Sequence, residues 1–108
     1  MTLTLPAPIR AYFDANTTLD TDAMLAPFSA DAIVLDERRT HRGREAIRAW
    51  IEEASVGNQA VAVPQSLQLE DDVYRITARV EGAFPGSPVT LTFRFRLGEG
   101  RIAELEIV

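Results

Sequence analysis

The chain of 108 residues contains no cysteine and a single histidine. Without cysteine there is no disulfide framework, no thiolate nucleophile and no thiolate-based zinc site. His41 is the only residue that could supply an imidazole ligand, which further weakens the case for a metal site. We therefore expect no metal site and no other cofactor.

An excess of basic residues is also lacking. The chain has 11 basic against 16 acidic residues, for a net charge of −5. Nucleic-acid-binding proteins need a basic surface that follows the phosphates, and adhesion to anionic membranes needs basic residues as well. The sequence therefore predicts no nucleic-acid partner and no membrane partner.

Long apolar runs are absent too. No stretch approaches the roughly 20 residues that span a bilayer, and the opening MTLTLPAPIRAYF lacks the basic start and apolar run of a signal peptide. The sequence contains no G-x-S-x-G, no phosphate loop, no H-E-x-x-H and no G-x-G-x-x-G. We expect a cytoplasmic protein that uses none of these chemistries.

What is present is the composition of one globular domain. Hydrophobic residues make up 46% of the chain and charged residues 25%, which are ordinary globular values and argue against disorder. A chain of this length supports one hydrophobic core. We assign residues 1–108 to a single domain.

Three helices are predicted in the first half of the chain. Pro6 and Pro8 favour a helix start. An apolar stripe then follows at helical spacing in each helix, and Pro27 limits the second. Asp20 or Thr21 can cap the second helix, the third begins near Gly43, and Gly57-Asn58 ends it. The three stripes are Ile9, Tyr12 and Phe13; Met24, Leu25 and Phe28; and Ile47, Trp50, Ile51 and Ala54.

Strands are predicted between the second and third helices and throughout the second half. Residues 32–35 form a strand that runs out to Asp36, and DERRTHRG is its turn and short return. After Asn58 the apolar residues alternate with period two. Pro64 favours an edge position or a bulge, Asp71-Asp72 makes a turn, and Gly98 and Gly100 bracket a hairpin. This layout predicts an α+β fold, with three N-terminal helices packed on one face of a curved, mainly antiparallel sheet.

The other face of the predicted sheet is polar, and two interpretations are open. It is either a solvated surface with cross-strand Arg–Glu pairs or a wet interface of a homodimer with two-fold symmetry. We expect the homodimer. The residues of this polar face are Arg75, Thr77, Arg79, Glu81, Thr90, Thr92, Arg94, Arg96, Glu104 and Glu106.

The element order and the phrases YF, FSADAIVLDE, HRGREAIRAW and FRFRLGEGRI resemble the nuclear transport factor 2-like superfamily, over nearly the whole chain. That superfamily includes the ketosteroid isomerases and the SnoaL-type polyketide cyclases. The resemblance implies a cone-shaped domain with a pocket between helices and sheet. It does not settle the function, because this fold hosts isomerases, dehydratases, epoxide hydrolases, cyclases and non-catalytic binders.

Ketosteroid isomerase implies roles for particular residues. Asp36, at the end of the first strand, matches its general base, and Tyr12, on the first helix, matches its oxyanion donor. Its third group, a protonated carboxylic acid, falls on Leu91, or on Thr92 after a shift of one residue. Neither side chain can act as that acid.

The residues themselves allow plainer roles. Asp36 stands in a polar turn, where Asp is common, and Tyr12 lies on an apolar stripe, where a tyrosine is most often a core residue. His41 can shuttle a proton at the pocket mouth or be merely solvated. The aromatic and aliphatic residues can be core or pocket wall. We predict as pocket-lining Phe28, Val34, Trp50, Leu91, Phe93 and Phe95.

Two functions are weighed. In the first, Asp36 removes a proton alpha to a carbonyl of a small apolar substrate, Tyr12 stabilises the enolate and His41 assists, which suits an isomerase or a cyclase. In the second, the fold is a non-catalytic dimeric module that binds a small ligand or a protein. An open cavity holding both Asp36 and Tyr12 favours the enzyme, and a closed core favours the second function.

Overall fold

The computed structural model describes residues 3–108. Met1 and Thr2, which begin the segment expected not to be a signal peptide, lie outside the described residues. The helices are α1 (Ala7–Thr17), α2 (Thr21–Leu25), α3 (Arg44–Trp50) and a π-helix (Ile51–Val56). The strands are β1 (Phe28–Asp36), β2 (Arg39–Arg42), β3 (Val61–Glu70), β4 (Val73–Glu81), β5 (Val89–Gly98) and β6 (Arg101–Ile107).

The strands form one sheet of six in the order β2-β1-β6-β5-β4-β3. The β1–β2 hairpin occupies one edge, α3 carries the chain to the other edge, and β3 to β6 return as a meander. Within residues 3–108, β1 and β6 pair in parallel and the other four pairings are antiparallel. The α+β class and the mainly antiparallel sheet are thus confirmed. The helices do not all precede the sheet, because β1 and β2 lie between α2 and α3.

The helix starts follow the predicted signals. Pro8 lies in the first turn of α1, and the Asp20 carboxylate accepts a hydrogen bond from the Ala23 backbone N–H at 3.2 Å, which caps α2. One prediction is wrong: Phe28 does not belong to the second helix, which ends at Leu25. Pro27 prevents the helix from continuing, and Phe28 is the first, fully buried residue of β1.

The third helix does not remain an α-helix to its end. After Trp50 it widens into the π-helix, and the Gly57 backbone N–H reaches back five residues to the Glu52 carbonyl at 2.8 Å. A Cβ atom at Gly57 would lie 2.8 Å from the Glu53 carbonyl oxygen. The glycine that we expected to end an α-helix therefore permits the close approach of the wider turn.

Three tight turns join neighbouring antiparallel strands. The two-residue turns Glu37-Arg38, Asp71-Asp72 and Glu99-Gly100 all have positive φ at both positions, as two-residue hairpins prefer. All three lie where the sequence predicts a turn: within DERRTHRG, at Asp71-Asp72 and in the hairpin bracketed by Gly98 and Gly100. The expectation for Pro64 is also confirmed, because β3 is an edge strand whose register shifts between Pro64 and Ser66.

The hydrophobic core lies between the helices and the inner face of the sheet. Tyr12 is its aromatic centre, with ring centroids 5.3 Å from Phe13, 5.8 Å from Phe28 and 5.8 Å from Phe95, all edge to face. Such edge-to-face pairs are a favourable arrangement of aromatic quadrupoles. Among residues 3–108, no helix is long and apolar enough to cross a membrane.

The opposite face of the sheet carries the expected cross-strand ion pairs. Arg94 pairs with Glu106 at 3.1 Å and Arg96 with Glu104 at 3.5 Å, in each case between residues directly opposite on β5 and β6. These Arg–Glu pairs are the ones expected if the polar face is a solvated surface. The homodimer remains a prediction.

Candidate functional site

A cavity of about 250 Å³ lies between α1, the π-helix and the inner face of the sheet. Its wall is mostly apolar, with a small number of polar groups. This combination is typical of small-molecule sites, in which a few polar atoms orient the ligand. The lining residues are Tyr12, Asn16, Asp36, Glu37, Trp50, Ala54, Ser55, Asn58, Ala60, Ala62, Val80, Phe84, Val89, Leu91, Phe93 and Ile107.

The Asp36 carboxylate enters this cavity from the last residue of β1, directly before the tight turn. It accepts a hydrogen bond from the Trp50 indole N–H, with 3.0 Å between Nε1 and Oδ2. None of the ion pairs found among residues 3–108 includes Asp36. A carboxylate oriented by a neutral donor, without a cationic partner, remains available to accept a proton from a ligand.

Tyr12 reaches the same cavity from α1. Burial raises the pKa of the Tyr12 phenol well above its usual range, the negative charge of Asp36 raises it further, and a hydrogen bond with the Ser55 side chain opposes the rise. The phenol therefore stays protonated at neutral pH and is a hydrogen-bond donor. The shared cavity and the electrostatic coupling place the candidate base and the candidate donor at one site.

The sequence interpretation missed two buried polar residues of the cavity wall, Asn16 and Ser55. The Asn16 side chain donates to the Ala60 carbonyl at 2.9 Å and accepts from the Ala62 backbone N–H at 2.7 Å, which ties α1 to the start of β3. A signal was available for both. Asn16 is four residues after Tyr12 and Ser55 four after Ile51, so each is a polar residue on an apolar helical stripe.

Of the six predicted pocket-lining residues, Trp50, Leu91 and Phe93 contribute to the cavity wall. The other three are corrected. Phe28, Val34 and Phe95 are fully buried in the core and are not among the lining residues. The Tyr12 ring packs against both Phe28 and Phe95, so that tyrosine, rather than the two phenylalanines, contributes the surface of the cavity.

His41 is not among the residues that line the cavity. It lies on β2 opposite Val34, and its ring centroid is 6.2 Å from that of Trp50. The short return strand places the imidazole beside the indole that donates to the Asp36 carboxylate. Asp36 and Tyr12 line the cavity and His41 does not, and the assisting role of His41 stays a prediction.

Leu91, which the resemblance aligns with the acid of ketosteroid isomerase, is one of the residues that line the cavity. Thr92, the alternative after a shift of one residue, pairs with Thr77 and is not a lining residue. Residues 3–108 contain no group of three or more His, Cys, Asp or Glu side chains that could hold a metal ion.

The SnoaL-like domain family matches residues 9–105 of the chain. This protein belongs to the SnoaL-like domain family. The match includes both Tyr12 and Asp36, and it confirms the resemblance on which their roles were based. No curated protein matches the sequence.

Solved structures of other proteins share this SnoaL-like fold. A candidate polyketide cyclase from Sinorhizobium meliloti is 44% identical, with a TM-score of 0.90 over 96% of this chain and 95% of that one. The epoxide hydrolase/cyclase-like enzyme SalBIII, of pyran ring formation in salinomycin, is 20% identical, with a TM-score of 0.81 over 94% and 86%. A protein from Catenulispora acidiphila with a ketosteroid isomerase-like fold, bound to trimethylamine, is 21% identical, with a TM-score of 0.81 over 97% and 86%. The last two establish the fold alone.

Proposed function

We propose that this SnoaL-like protein is a cofactor-independent isomerase or cyclase in which Asp36 removes a proton alpha to a carbonyl of a small apolar substrate. The observation that carries the proposal is the shared cavity, because a carboxylate and a protonated phenol converge there on an otherwise apolar space. The 44% identity to a candidate polyketide cyclase adds support for cyclisation.

The proposed step conserves atoms and charge. The Asp36 carboxylate takes the proton from the alpha carbon, and the C–H bonding pair becomes the C=C bond of an enolate whose oxygen carries the negative charge. Tyr12 donates a hydrogen bond to that oxygen. In an isomerisation the Asp36 carboxylic acid returns the proton to another carbon. In an aldol-type cyclisation the enolate carbon attacks a second carbonyl, whose alkoxide receives the proton.

Trp50 has a positioning role in this scheme. Its indole N–H holds one carboxylate oxygen of Asp36, which leaves the other oxygen free for the substrate proton. A donor that is neutral and fixed in a helix orients the base without neutralising it as an arginine would.

The size of the cavity narrows the substrate class. Pockets for drug-sized ligands occupy about 300–1,000 Å³, and this one is close to 250 Å³. The cavity favours a substrate with one ring or a short folded chain over a polycyclic one. Apart from Asp36 and Glu37 its polar groups are neutral, which favours an uncharged ketone or ester.

Proton abstraction is tested without knowledge of the natural substrate. Small ketones and polyketide-like esters are incubated with the protein in D₂O, and exchange at the alpha carbon is followed by NMR. We expect exchange above the buffer rate, a loss of at least about 100-fold in Asp36→Asn, and a smaller loss in Tyr12→Phe. Ser66→Ala, at an exposed residue of β3 outside the cavity wall, is the control. No exchange by the wild type, or full exchange by Asp36→Asn, contradicts the proposal.

A non-catalytic binding module is the second candidate, and Leu91 favours it. The wall lacks the second acidic donor of ketosteroid isomerase at that position, which weakens stabilisation of an enolate. Trp50 is the only tryptophan and lines the cavity, so its fluorescence reports binding directly. A ligand that changes this fluorescence and undergoes no alpha exchange supports the binding module.

A further inference from the structure

In the proposed reaction the Tyr12 phenol donates to the enolate oxygen, and Leu91, which also lines the cavity, cannot add a second donor. The other donors in the described part of the cavity wall are largely committed. The Asn16 amide donates to the Ala60 carbonyl, and the Asn58 amide donates to the Ala54 carbonyl at 3.2 Å. The Trp50 N–H is bonded to Asp36. The remaining hydroxyl in the wall is that of Ser55.

Ser55 lines the cavity from an irregular stretch of helix. It lies in the π-helix that interrupts the end of the third helix, and it is buried, with 7% of its surface exposed. Single π-turns are rare and occur frequently at functional sites. Here the wider turn is accommodated by Gly57, where a side chain would collide with the Glu53 carbonyl.

We propose that Ser55 is the second hydrogen-bond donor of the oxyanion site, so that the site consists of two hydroxyls, Tyr12 from α1 and Ser55 from the π-helix. This inference rests on the proposed function and names a further residue of the same site. Ser55 supplies from the helical side of the cavity what the acid of ketosteroid isomerase supplies from the sheet.

The chemistry of a hydroxyl suits this arrangement. Ser55 and Tyr12 line the same cavity, and the Ser55 hydroxyl is close enough to the phenol to oppose the rise in its pKa. A hydroxyl proton rotates about its C–O bond at little cost. An enolate oxygen placed between the two groups can therefore accept a hydrogen bond from each. Hydrogen bonds to a charged acceptor are stronger than those between neutral groups.

The test uses 4-nitrophenol as a mimic of the enolate, since its single ring suits the cavity and its phenolate has a distinct absorption. Binding is measured in Asp36→Asn, because that amide imitates the uncharged acid that exists after proton abstraction. We expect this variant to bind the phenolate form in preference to the neutral phenol. Adding Ser55→Ala should weaken phenolate binding roughly 10-fold and leave the binding of the neutral phenol nearly unchanged.

Two further variants exclude a role in packing. Ser55→Cys retains the approximate volume with a weaker donor, and should fall between Ser55 and Ser55→Ala in phenolate affinity. Ser66→Ala removes an exposed hydroxyl from β3 and should have no effect. An equal loss of affinity for phenol and phenolate in Ser55→Ala overturns the inference, because packing does not distinguish them.

The Tyr12→Phe background decides whether Ser55 acts directly. A direct donor still contributes when the phenol is absent, so Ser55→Ala should again weaken phenolate binding several-fold. Loss of the effect in that background means that Ser55 acts only through Tyr12, and overturns the inference.

The inference and the proposed function fail in different ways. If Asp36→Asn does not prefer the phenolate at all, both are contradicted. If Asp36→Asn prefers the phenolate, and this preference depends on Tyr12 but is unchanged by Ser55→Ala, only the role of Ser55 is contradicted.

Discussion

Two polar clusters lie on opposite faces of the same sheet, and they differ in how they are satisfied. On the inner side, Tyr12, Asn16, Asp36, Trp50 and Ser55 surround the cavity, in which the one charged member of this set has a neutral donor and no cationic partner. On the outer side, arginines and glutamates form ion pairs that remain substantially exposed.

Polar contacts contribute more to stability on the inner side of the sheet than on the outer side. In the interior each donor or acceptor that loses its partner is left without water, at a cost of about 1–3 kcal/mol per group. At the surface water replaces a lost partner, so an exposed ion pair contributes about 0–1 kcal/mol. We therefore expect substitutions of the inner cluster to have larger effects, both on stability and on function.

The largest effect on stability is expected for Asn16→Ala. This change removes both hydrogen bonds that tie α1 to β3, and leaves the buried Ala62 backbone N–H and the Ala60 carbonyl without that partner. We expect the free energy of unfolding to fall by about 3 kcal/mol, measured by urea denaturation. Asn58→Ala is the matched control, since its amide also bonds a backbone carbonyl but is exposed. Equal losses in the two variants would contradict the contrast between interior and surface.

A smaller effect is expected for Trp50→Phe, which keeps an aromatic ring and removes the indole N–H from Asp36. A hydrogen bond to a charged group contributes about 1.5–3 kcal/mol, and because Asp36 is half-buried we expect a loss near the lower limit. The double-mutant cycle with Asp36→Ala isolates this contact from the packing of the ring. A coupling energy close to zero would show that the indole does not hold the carboxylate.

The stability of the protein at alkaline pH is a further test of the inner cluster. Because the folded Tyr12 has a pKa above its usual 10.0, the unfolded chain releases the phenolic proton at a lower pH than the folded protein. Stability from this group is fully present below about pH 10 and falls above it by about 1.4 kcal/mol per pH unit. All 11 basic residues are arginines and there are two tyrosines, so few other groups titrate in this range.

The measurement is urea denaturation between about pH 9 and pH 11.5, below the range of arginine. Tyr12→Phe should abolish the decline in stability. Tyr74→Phe, at a half-buried residue of β4 outside the cavity wall, should retain it. A decline that persists in Tyr12→Phe would mean that another group is responsible.

The sequence predicted the elements whose signals are local. Period-two alternation, the Asp71-Asp72 turn and the glycines of the last hairpin were sufficient for the meander, and Pro64 for the edge strand. Phe28 was assigned to a helix because apolar spacing alone does not show where a helix stops. The π-helix was missed because one extra residue in a turn leaves no composition signal.

The site was predictable only in part, for a related reason. Asp36 and Tyr12 were predicted from a family resemblance. Ser55 and Asn16 could have been predicted from their positions, because each is a polar residue on an apolar helical stripe. Which aromatic residue forms the cavity surface depends on three-dimensional packing. The Tyr12 ring packs between the cavity and the rings of Phe28 and Phe95. The spacing of apolar residues in the sequence does not show which of these rings faces the cavity.

The smallest effect is expected on the outer face. Removing the Arg94–Glu106 pair by Arg94→Ala should lower the stability of a monomer by less than about 1 kcal/mol, because both side chains are partly exposed and screened by salt. Arg10→Ala, which removes an exposed pair on α1, is the control for a purely local loss.

Assembly is the one property on which this face can have a larger effect. We propose that two copies pair through the face that carries Arg75, Arg79, Arg94 and Arg96, and that each arginine meets acidic residues across a two-fold axis. Such an interface is wet and charged, so sedimentation should show a dimer that weakens as the salt concentration rises. Arg94→Ala should weaken that dimer while Arg10→Ala leaves it intact. A monomer at all concentrations, or a dimer indifferent to Arg94, would leave the ion pairs of this face as local contacts only.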